Sequence, residues 1–300
     1  MNIAITGANG SVGSILLRHI AGLPDVQAVA CVRSEKAAAS LPQSPKIAPR
    51  IVGYDRDGLT AAFTGADCVV HLAGILMESQ TTTYQSAHVD APLAVVDASR
   101  AAGVRHVVLV SVLGADPGSA NAYLSSKGRA ERIVAESGLS ATIIRTPILL
   151  GPGTAGADAL AHQASRGTVT LLGGGRHSIR PLDVDDLSKA ILNSGSASRP
   201  GVAVHELVGP EPVAYRDIVG RTAKLLGRDV SVRSMPVWVA KFGATIAGLK
   251  KRGGMTPTVI DIITSSEDVH KNGDVELGVT LTPLSTTIEK CLPSQAKRHS

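Results

Sequence analysis

Tyr123 and Lys127 stand four residues apart in the run Tyr-Leu-Ser-Ser-Lys. On a helix, that spacing puts a phenol and an ammonium on one face. An ammonium beside a phenol favours phenolate and lowers the tyrosine pKa toward neutrality. Such a tyrosine serves as an acid or base for a carbonyl or hydroxyl group. Ser111 ends the apolar run before this helix and offers a hydroxyl to hold the same oxygen. The same spacing also arises on purely structural helices, so its meaning depends on what surrounds it.

Residues 7–13 read Gly-Ala-Asn-Gly-Ser-Val-Gly, with glycines at positions 7, 10 and 13. Any tight turn draws on glycine, but this heptad follows the apolar run Ile3-Ala4-Ile5 and opens a helical pattern. A strand before and a helix after are the context a dinucleotide cradle requires. There Gly7 makes the turn, Gly10 lets backbone amides approach a pyrophosphate, and Gly13 lets helix pack closely on strand. Ala8, Asn9, Ser11 and Val12 complete the cradle, with the amides and helix dipole at 10–13 facing the anion.

The second strand ends in Cys31-Val32-Arg33-Ser34. Selectivity for NAD would place an acid here to bind the ribose 2′-hydroxyl. Arg33 instead suits a 2′-phosphate, since a guanidinium pairs with phosphate and stacks on adenine. NADP(H) is therefore the favoured cofactor and NAD(H) the other option. A solvated charge at a strand end is the plainer reading of Arg33.

Six strand-like runs position these groups: 2–6, 26–32, 50–52, 67–72, 106–110 and 141–145, with helix-like stretches near 12–22, 58–64, 84–102 and 122–137. Near-continuous Val/Ile/Leu runs mark strands buried on both faces. Their alternation with helices predicts an α/β protein with a Rossmann-type doubly wound parallel sheet. The expected division is a nucleotide-binding domain over 1–150 and a smaller substrate-binding or cap region over 151–300.

The 300 residues carry a formal charge of +5, but aromatics are only 2% and the basic residues are scattered, so the footprint of nucleic-acid binding is missing. Three distant cysteines, Cys31, Cys68 and Cys291, give neither a zinc spacing nor a disulfide framework, and no metal is expected. No apolar run approaches the roughly 20 residues of a membrane span. A cytoplasmic protein, or one peripheral to a membrane, is the expectation.

In order along the chain, GxxGxxG (7–13), HLAG (71–74), Ser111 and YLSSK (123–127) resemble the extended and atypical branches of the short-chain dehydrogenase/reductase superfamily. The match continues in VVLVSVLGADP (107–117), IIRTPILLGPG (143–153) and IRPLDVDDLSKAI (179–191). These later stretches look like the branch holding the nucleotide-binding accessory subunit of respiratory NADH:ubiquinone oxidoreductase and its bacterial relatives. The resemblance implies that His71, Leu72, Ala73 and Gly74 line the cofactor after strand four. It implies that Arg145, Thr146 and Pro147 pass near the nicotinamide, and that Arg180 and Asp183 edge the substrate cleft. Relatives carry an aspartate after glycine near the adenine; here Gly53-Tyr54-Asp55 leaves either Tyr54 or a shifted Asp55 in that place. The usual asparagine-containing stretch of helix four reads His88-Val89-Asp90-Ala91-Pro92, which departs from any asparagine-dependent proton relay.

Beyond Gly153, glycine- and alanine-rich stretches at 151–160, 173–175 and 194–201 read as loops around a small cap, where His162, Gln163 and His177 are candidates to enter a pocket. Residues 236–252 place Trp238, Phe242, Ile246 and Leu249 on one helical stripe before Lys250-Lys251-Arg252. A surface helix meeting anionic lipid looks like this, as does a helix packed on the sheet. The tail 295–300 reads as a solvated end. Two functions follow. One is an NADP(H)-dependent oxidoreductase, epimerase or dehydratase acting on a small carbonyl or hydroxyl substrate. The other is a non-catalytic NADPH-binding accessory or assembly module that contacts a membrane or protein complex through 236–252.

Overall fold

The computed structural model describes residues 1–197, 200–248 and 255–292. Strands β1 (Asn2–Thr6), β2 (Gln27–Val32), β3 (Ile47–Ile51), β4 (Cys68–His71), β5 (His106–Val112) and β6 (Ser140–Thr146) alternate with helices α1 (Ser11–Gly22), α2 (Glu35–Ala39), α3 (Arg56–Phe63), α4 (Ala91–Ala101) and α5 (Ala122–Ala135). Ile3, Ala4 and Ile5 of β1 are fully buried, as a strand at the centre of a two-faced sheet must be. Helix α2 went unpredicted because it is short and buries nothing; Ser34 starts it by accepting the Ala37 N–H.

The chain continues through β7 (Leu149–Leu150), α6 (Ala155–Ala164), β8 (Thr168–Leu172), β9 (Ser178–Ile179), β10 (Leu182–Asp183), α7 (Val184–Ala197) and β11 (Val202–Glu206). It ends in β12 (Val213–Ala214), α8 (Tyr215–Leu225), β13 (Ser231–Met235), α9 (Val237–Gly248), α10 (Pro257–Thr264) and α11 (Leu284–Lys290). The 151–160 stretch is therefore not all loop: Thr154 caps α6 by accepting the Ala157 N–H, and alanine carries the helix onward. Likewise α7 runs through 194–197.

The main sheet has seven strands, all parallel, in the order β11-β6-β5-β4-β1-β2-β3. The strand order reverses between β1 and β4, and the crevice at their carboxyl ends is where ligands bind such sheets. The edge strand β11 comes from beyond residue 150, so the sheet does not end with the first half of the chain. Leu187, Ala190 and Ile191 of α7 join the core around β1 and α1. A separate core, including Leu160, Leu171, Ile179, Ile218 and Ile288, holds the smaller region together. Among the described residues no helix is long and apolar enough to cross a membrane.

Candidate nucleotide and catalytic site

The turn after β1 is shaped by glycines. Gly7 sits at φ +73°, and a Cβ there would lie 2.7 Å from the Ala73 nitrogen. A Cβ on Gly13 would lie 2.6 Å from the carbonyl oxygens of both Gly7 and Ala8. The Gly10 N–H is donated to the Gly7 carbonyl at 3.0 Å, so it closes the turn. That leaves the amides of Ser11, Val12 and Gly13 as the first-turn donors of α1. No side chain caps this end and its first turn holds no acid. Unsatisfied N–H groups and the positive end of the helix dipole fit a phosphate. Ala8 is buried beneath the turn, while Ser11 is exposed above it.

Thr6, Gly7, Asn9 and Gly10 line a cleft of about 490 Å³ along the carboxyl edge of the sheet. Its walls continue through Arg33, Tyr54, Leu72, Ala73, Gly74, Ile75 and Asp90. The size suits a small-molecule or cofactor site. Arg33 thus stands on the cleft wall. The ambiguity at 54–55 is resolved locally: Tyr54 lines the cleft, while Asp55 caps α3 by accepting the Gly58 N–H at 2.7 Å. Burial pushes the Tyr54 phenol up to about 12, opposed by its hydrogen bond to Thr6 and the nearby Arg33 charge.

Behind the Gly74–Ile75 wall lies an aromatic cluster in which His88 and Tyr123 are buried and Tyr84 is half-buried. A π-helical turn, Ser86–Asp90, carries His88 inward before α4 begins, a helix irregularity that often accompanies function. His88 Nε2 accepts the Ile75 N–H at 3.1 Å, and Nδ1 meets Ser126 Oγ at 2.8 Å. The His88 ring stacks on Tyr84 (centroids 5.7 Å apart) and meets the edge of Tyr123 at 5.7 Å. Tyr84 also contacts Tyr123 at 5.8 Å and donates its hydroxyl to the Leu76 carbonyl at 2.8 Å. Tyr123 is therefore buried beneath Tyr84 and His88, one layer from the cleft. Neither Tyr84 nor His88 was a predicted site residue. The available signal was their spacing of four, one helical turn apart.

The electrostatics depart from the expectation. Burial raises the Tyr123 phenol above its ordinary value, and Tyr84 adds to the shift. Lys127 is also buried, which pushes it down to about 8 against the pull of Glu131. Its ammonium donates to the Val110 carbonyl at 3.0 Å. The Lys127 charge registers on His71 and His88, both held down to about 3 mainly by burial. His71 pairs through Nδ1 with Thr6 Oγ1 at 2.6 Å, while its buried Nε2 has no hydrogen-bond partner among the described residues.

Ser111 is buried, and its hydroxyl donates to Glu131. Glu131 also takes Arg145, whose Nη2 lies 2.7 Å from Oε2, and Arg145 reaches Glu206 on β11. The structure therefore places Ser111 and Arg145 in a charge network near the carboxyl ends of β5 and β6, and neither lines the cleft. Pro147 follows β6 and is half-buried.

In the smaller region, Arg180 donates to the Gly209 carbonyl at 2.8 Å and so braces a loop. Asp183 is buried, accepting from Thr287 at 2.9 Å and Lys290 at 2.8 Å, which fastens α11. Both residues carry structural bonds here. His162 pairs with Arg166 on the surface, and His177 stacks on Tyr215. Gln163 stands beside the Tyr215 hydroxyl. Trp238, Phe242 and Ile246 are exposed on α9. Leu249, Lys250, Lys251 and Arg252 lie outside the described residues, as does the tail 295–300.

A family model described as NAD(P)H-binding matches residues 7–172. The chain is 26% identical to the ceramide reductase of Caulobacter vibrioides over 98% of its own length and 89% of the relative's. It is 28% identical to the Arabidopsis thaliana mitochondrial NADH dehydrogenase (ubiquinone) 1 alpha subcomplex subunit 9, over 69% of this chain and 53% of that one. The Citrobacter sp. triphenylmethane reductase, solved with NADP(H), superposes with a TM-score of 0.74 at 20% identity, covering 97% of this chain and 100% of that one. That likeness shows the fold, and other solved structures of the fold hold NAD.

Proposed function

This chain belongs to the NAD(P)H-binding family within the extended short-chain dehydrogenase/reductase superfamily, and from that premise we propose that it is an NADPH-dependent reductase of a carbonyl substrate. The observation that carries the reading is the cleft at the carboxyl edge of the sheet, lined by Gly7, Asn9, Gly10 and Arg33, with the Tyr123 phenol at the head of α5 one layer behind it. A protonated phenol is the acid a carbonyl oxygen needs as it gains negative charge.

In this reading the amides of residues 11–13 and the α1 dipole hold the pyrophosphate, and Arg33 pairs with the 2′-phosphate. NADPH, when held there, would supply a hydride to the carbonyl carbon. The reading requires the substrate carbonyl to reach the layer behind Gly74 and Ile75, where Tyr123 Oη gives its proton to the carbonyl oxygen and completes the alcohol. Lys127 anchors α5 to β5 through Val110 and has two further N–H donors for a ribose. Ser111 supports the Glu131–Arg145 network from which β5 and β6 present the site. The reductase among the relatives supports this reaction class.

Tyr123→Phe tests the assignment. The variant should bind NADPH as the parent does and lose at least about a hundredfold in NADPH oxidation across a panel of carbonyl compounds. Turnover at the parent rate would remove Tyr123 from the chemistry.

A second reading, a nucleotide-holding accessory module, draws on the match to the respiratory subunit and on the exposed aromatic face of α9. Tight NADPH binding with no oxidation of it by any carbonyl would favour this module, since a ligand stabilises a fold without reacting.

A further inference from the structure

From Ser231 to Ile260 the sequence holds five cations, Arg233, Lys241, Lys250, Lys251 and Arg252, and no acid. Helix α9 lies inside this stretch. Trp238, Phe242 and Ile246 recur every four residues along it and are 72%, 66% and 46% exposed. They form one line of large apolar side chains turned to solvent. The chain contains one tryptophan and two phenylalanines, so its sole tryptophan and half its phenylalanines sit on this face.

The helix is held in place from behind. Lys241 pairs with Asp261 of α10. Helix α10 in turn joins the catalytic helix, because Asn121 Nδ2 donates to the Thr258 carbonyl at 3.0 Å. The same Asn121 starts α5, its Oδ1 accepting the Tyr123 N–H at 3.1 Å. The Lys241–Asp261 pair and the bonds of Asn121 together link α9, through α10, to the Tyr123 end of the site.

We propose that the outward face of α9 docks on an anionic lipid surface, which sets the head of α5 beside the bilayer. Aromatic rings with an apolar body settle at the headgroup boundary. Basic residues beside them add attraction to anionic headgroups; Lys241 is already paired with Asp261, so this attraction comes from Arg233 and from Lys250, Lys251 and Arg252. Lys250, Lys251 and Arg252 enter here as charge in the sequence only. A second copy is a poorer occupant: a two-fold contact on this face would bring two acid-free cationic stretches together. Docking is independent of the reductase reading, although it bears on where a substrate enters.

Because Trp238 is the only tryptophan, its fluorescence reports this face directly. The full chain is titrated with vesicles of phosphatidylglycerol mixed with phosphatidylcholine, and with vesicles of phosphatidylcholine alone. A blue shift and co-sedimentation are expected with the anionic vesicles, with at least about tenfold weaker binding to the neutral ones. Phe242→Glu, which retains the reporter, should abolish the shift while keeping NADPH affinity, the check that the fold is intact. Lys250→Glu/Lys251→Glu should weaken binding about tenfold or more.

An unchanged Trp238 spectrum, or equal binding by parent and Phe242→Glu, overturns the proposal. So does a dimer in sedimentation that Phe242→Glu dissociates, which would assign the face to a second copy. Tyr123→Phe should still bind the vesicles, so loss of turnover and loss of docking are read separately.

Discussion

His88 donates from Nδ1 to Ser126 Oγ at 2.8 Å, because its Nε2 is already taken as acceptor by the Ile75 N–H. The tautomer follows from the pair of bonds. Ser126 then donates to the Tyr123 carbonyl at 2.7 Å. A neutral imidazole thus ties the cleft wall at Ile75 to the first turn of the helix carrying Tyr123.

His88→Asn shortens this tie and leaves one of its two partners unmatched. A buried group deprived of its partner costs about 1–3 kcal/mol, so denaturant unfolding should show a loss in that range. Turnover should fall more than NADPH affinity, since the cradle at 7–13 does not touch His88. Rescue of turnover by His88→Gln, which reaches further than asparagine, would support positioning rather than bulk stability.

Acid should unfold the protein earlier than its carboxylates require. His71 and His88 stand near 3 when folded against an ordinary 6.5, so between those values the unfolded chain binds protons that the folded chain refuses. Stability is therefore complete above pH 6.5 and falls as pH drops toward 3, by at most about 1.4 kcal/mol per pH unit for each histidine. Urea midpoints measured across this window should decline steadily, and His88→Asn should remove about half of the slope contributed by the pair. A flat profile would place both imidazoles in contact with water.

Arg33→Glu puts an acid on the cleft wall where a 2′-phosphate would lie. NADPH affinity should weaken at least about tenfold, since a charge-assisted pair is replaced by repulsion. NADH affinity should hold or improve. Equal weakening of both nucleotides in a paired fluorescence titration would mean that Arg33 supports the cleft without reading the phosphate.

Glycines at two ends of α1 make an internal contrast. Gly13→Ala sets a Cβ 2.6 Å from two backbone oxygens, which cannot step aside. Loss of nucleotide binding and about 1–3 kcal/mol of stability are expected. Gly22→Ala meets nothing within 4 Å and should be neutral or stabilising by up to about 1 kcal/mol. Thermal melts with and without NADPH compare the two.

The glycine turn and five of the six strands around it are legible in the sequence because each depends on local chemistry. Strand β3, expected at 50–52, runs instead over Ile47–Ile51, a sheet-edge strand with only Ile47 buried and so with no continuous apolar run to mark it. Glycine spacing specifies the turn, and runs such as Val107–Leu109, buried on both faces, announce strands. Strand β11 is harder to see: Val202 and Val204 are 41% and 49% exposed at the sheet edge, and its partner β6 lies far back in the chain. Tyr123 and Lys127 are visible as a spacing, but their charge states are not. Those depend on burial, to which Tyr84 contributes by folding over from another segment. Ser111 reads as a free hydroxyl until Glu131 and Arg145 are seen beside it. Asp55 reads as a ligand, although the sequence Asp55-x-x-Gly58 also fits the helix cap it forms.

The late arrival of β11 has a consequence during synthesis. Strand β6 leaves the ribosome with one side unpaired, and its partner follows only after α6, α7 and the short strands between them. Throughout that interval the nascent sheet ends in an open row of backbone donors and acceptors flanked by Ile143 and Ile144. Such a row templates pairing with any extended chain nearby. Slow translation between residues 146 and 202 therefore lengthens the exposure of the half-built sheet to intermolecular strand pairing, and a faster passage through that stretch shortens it.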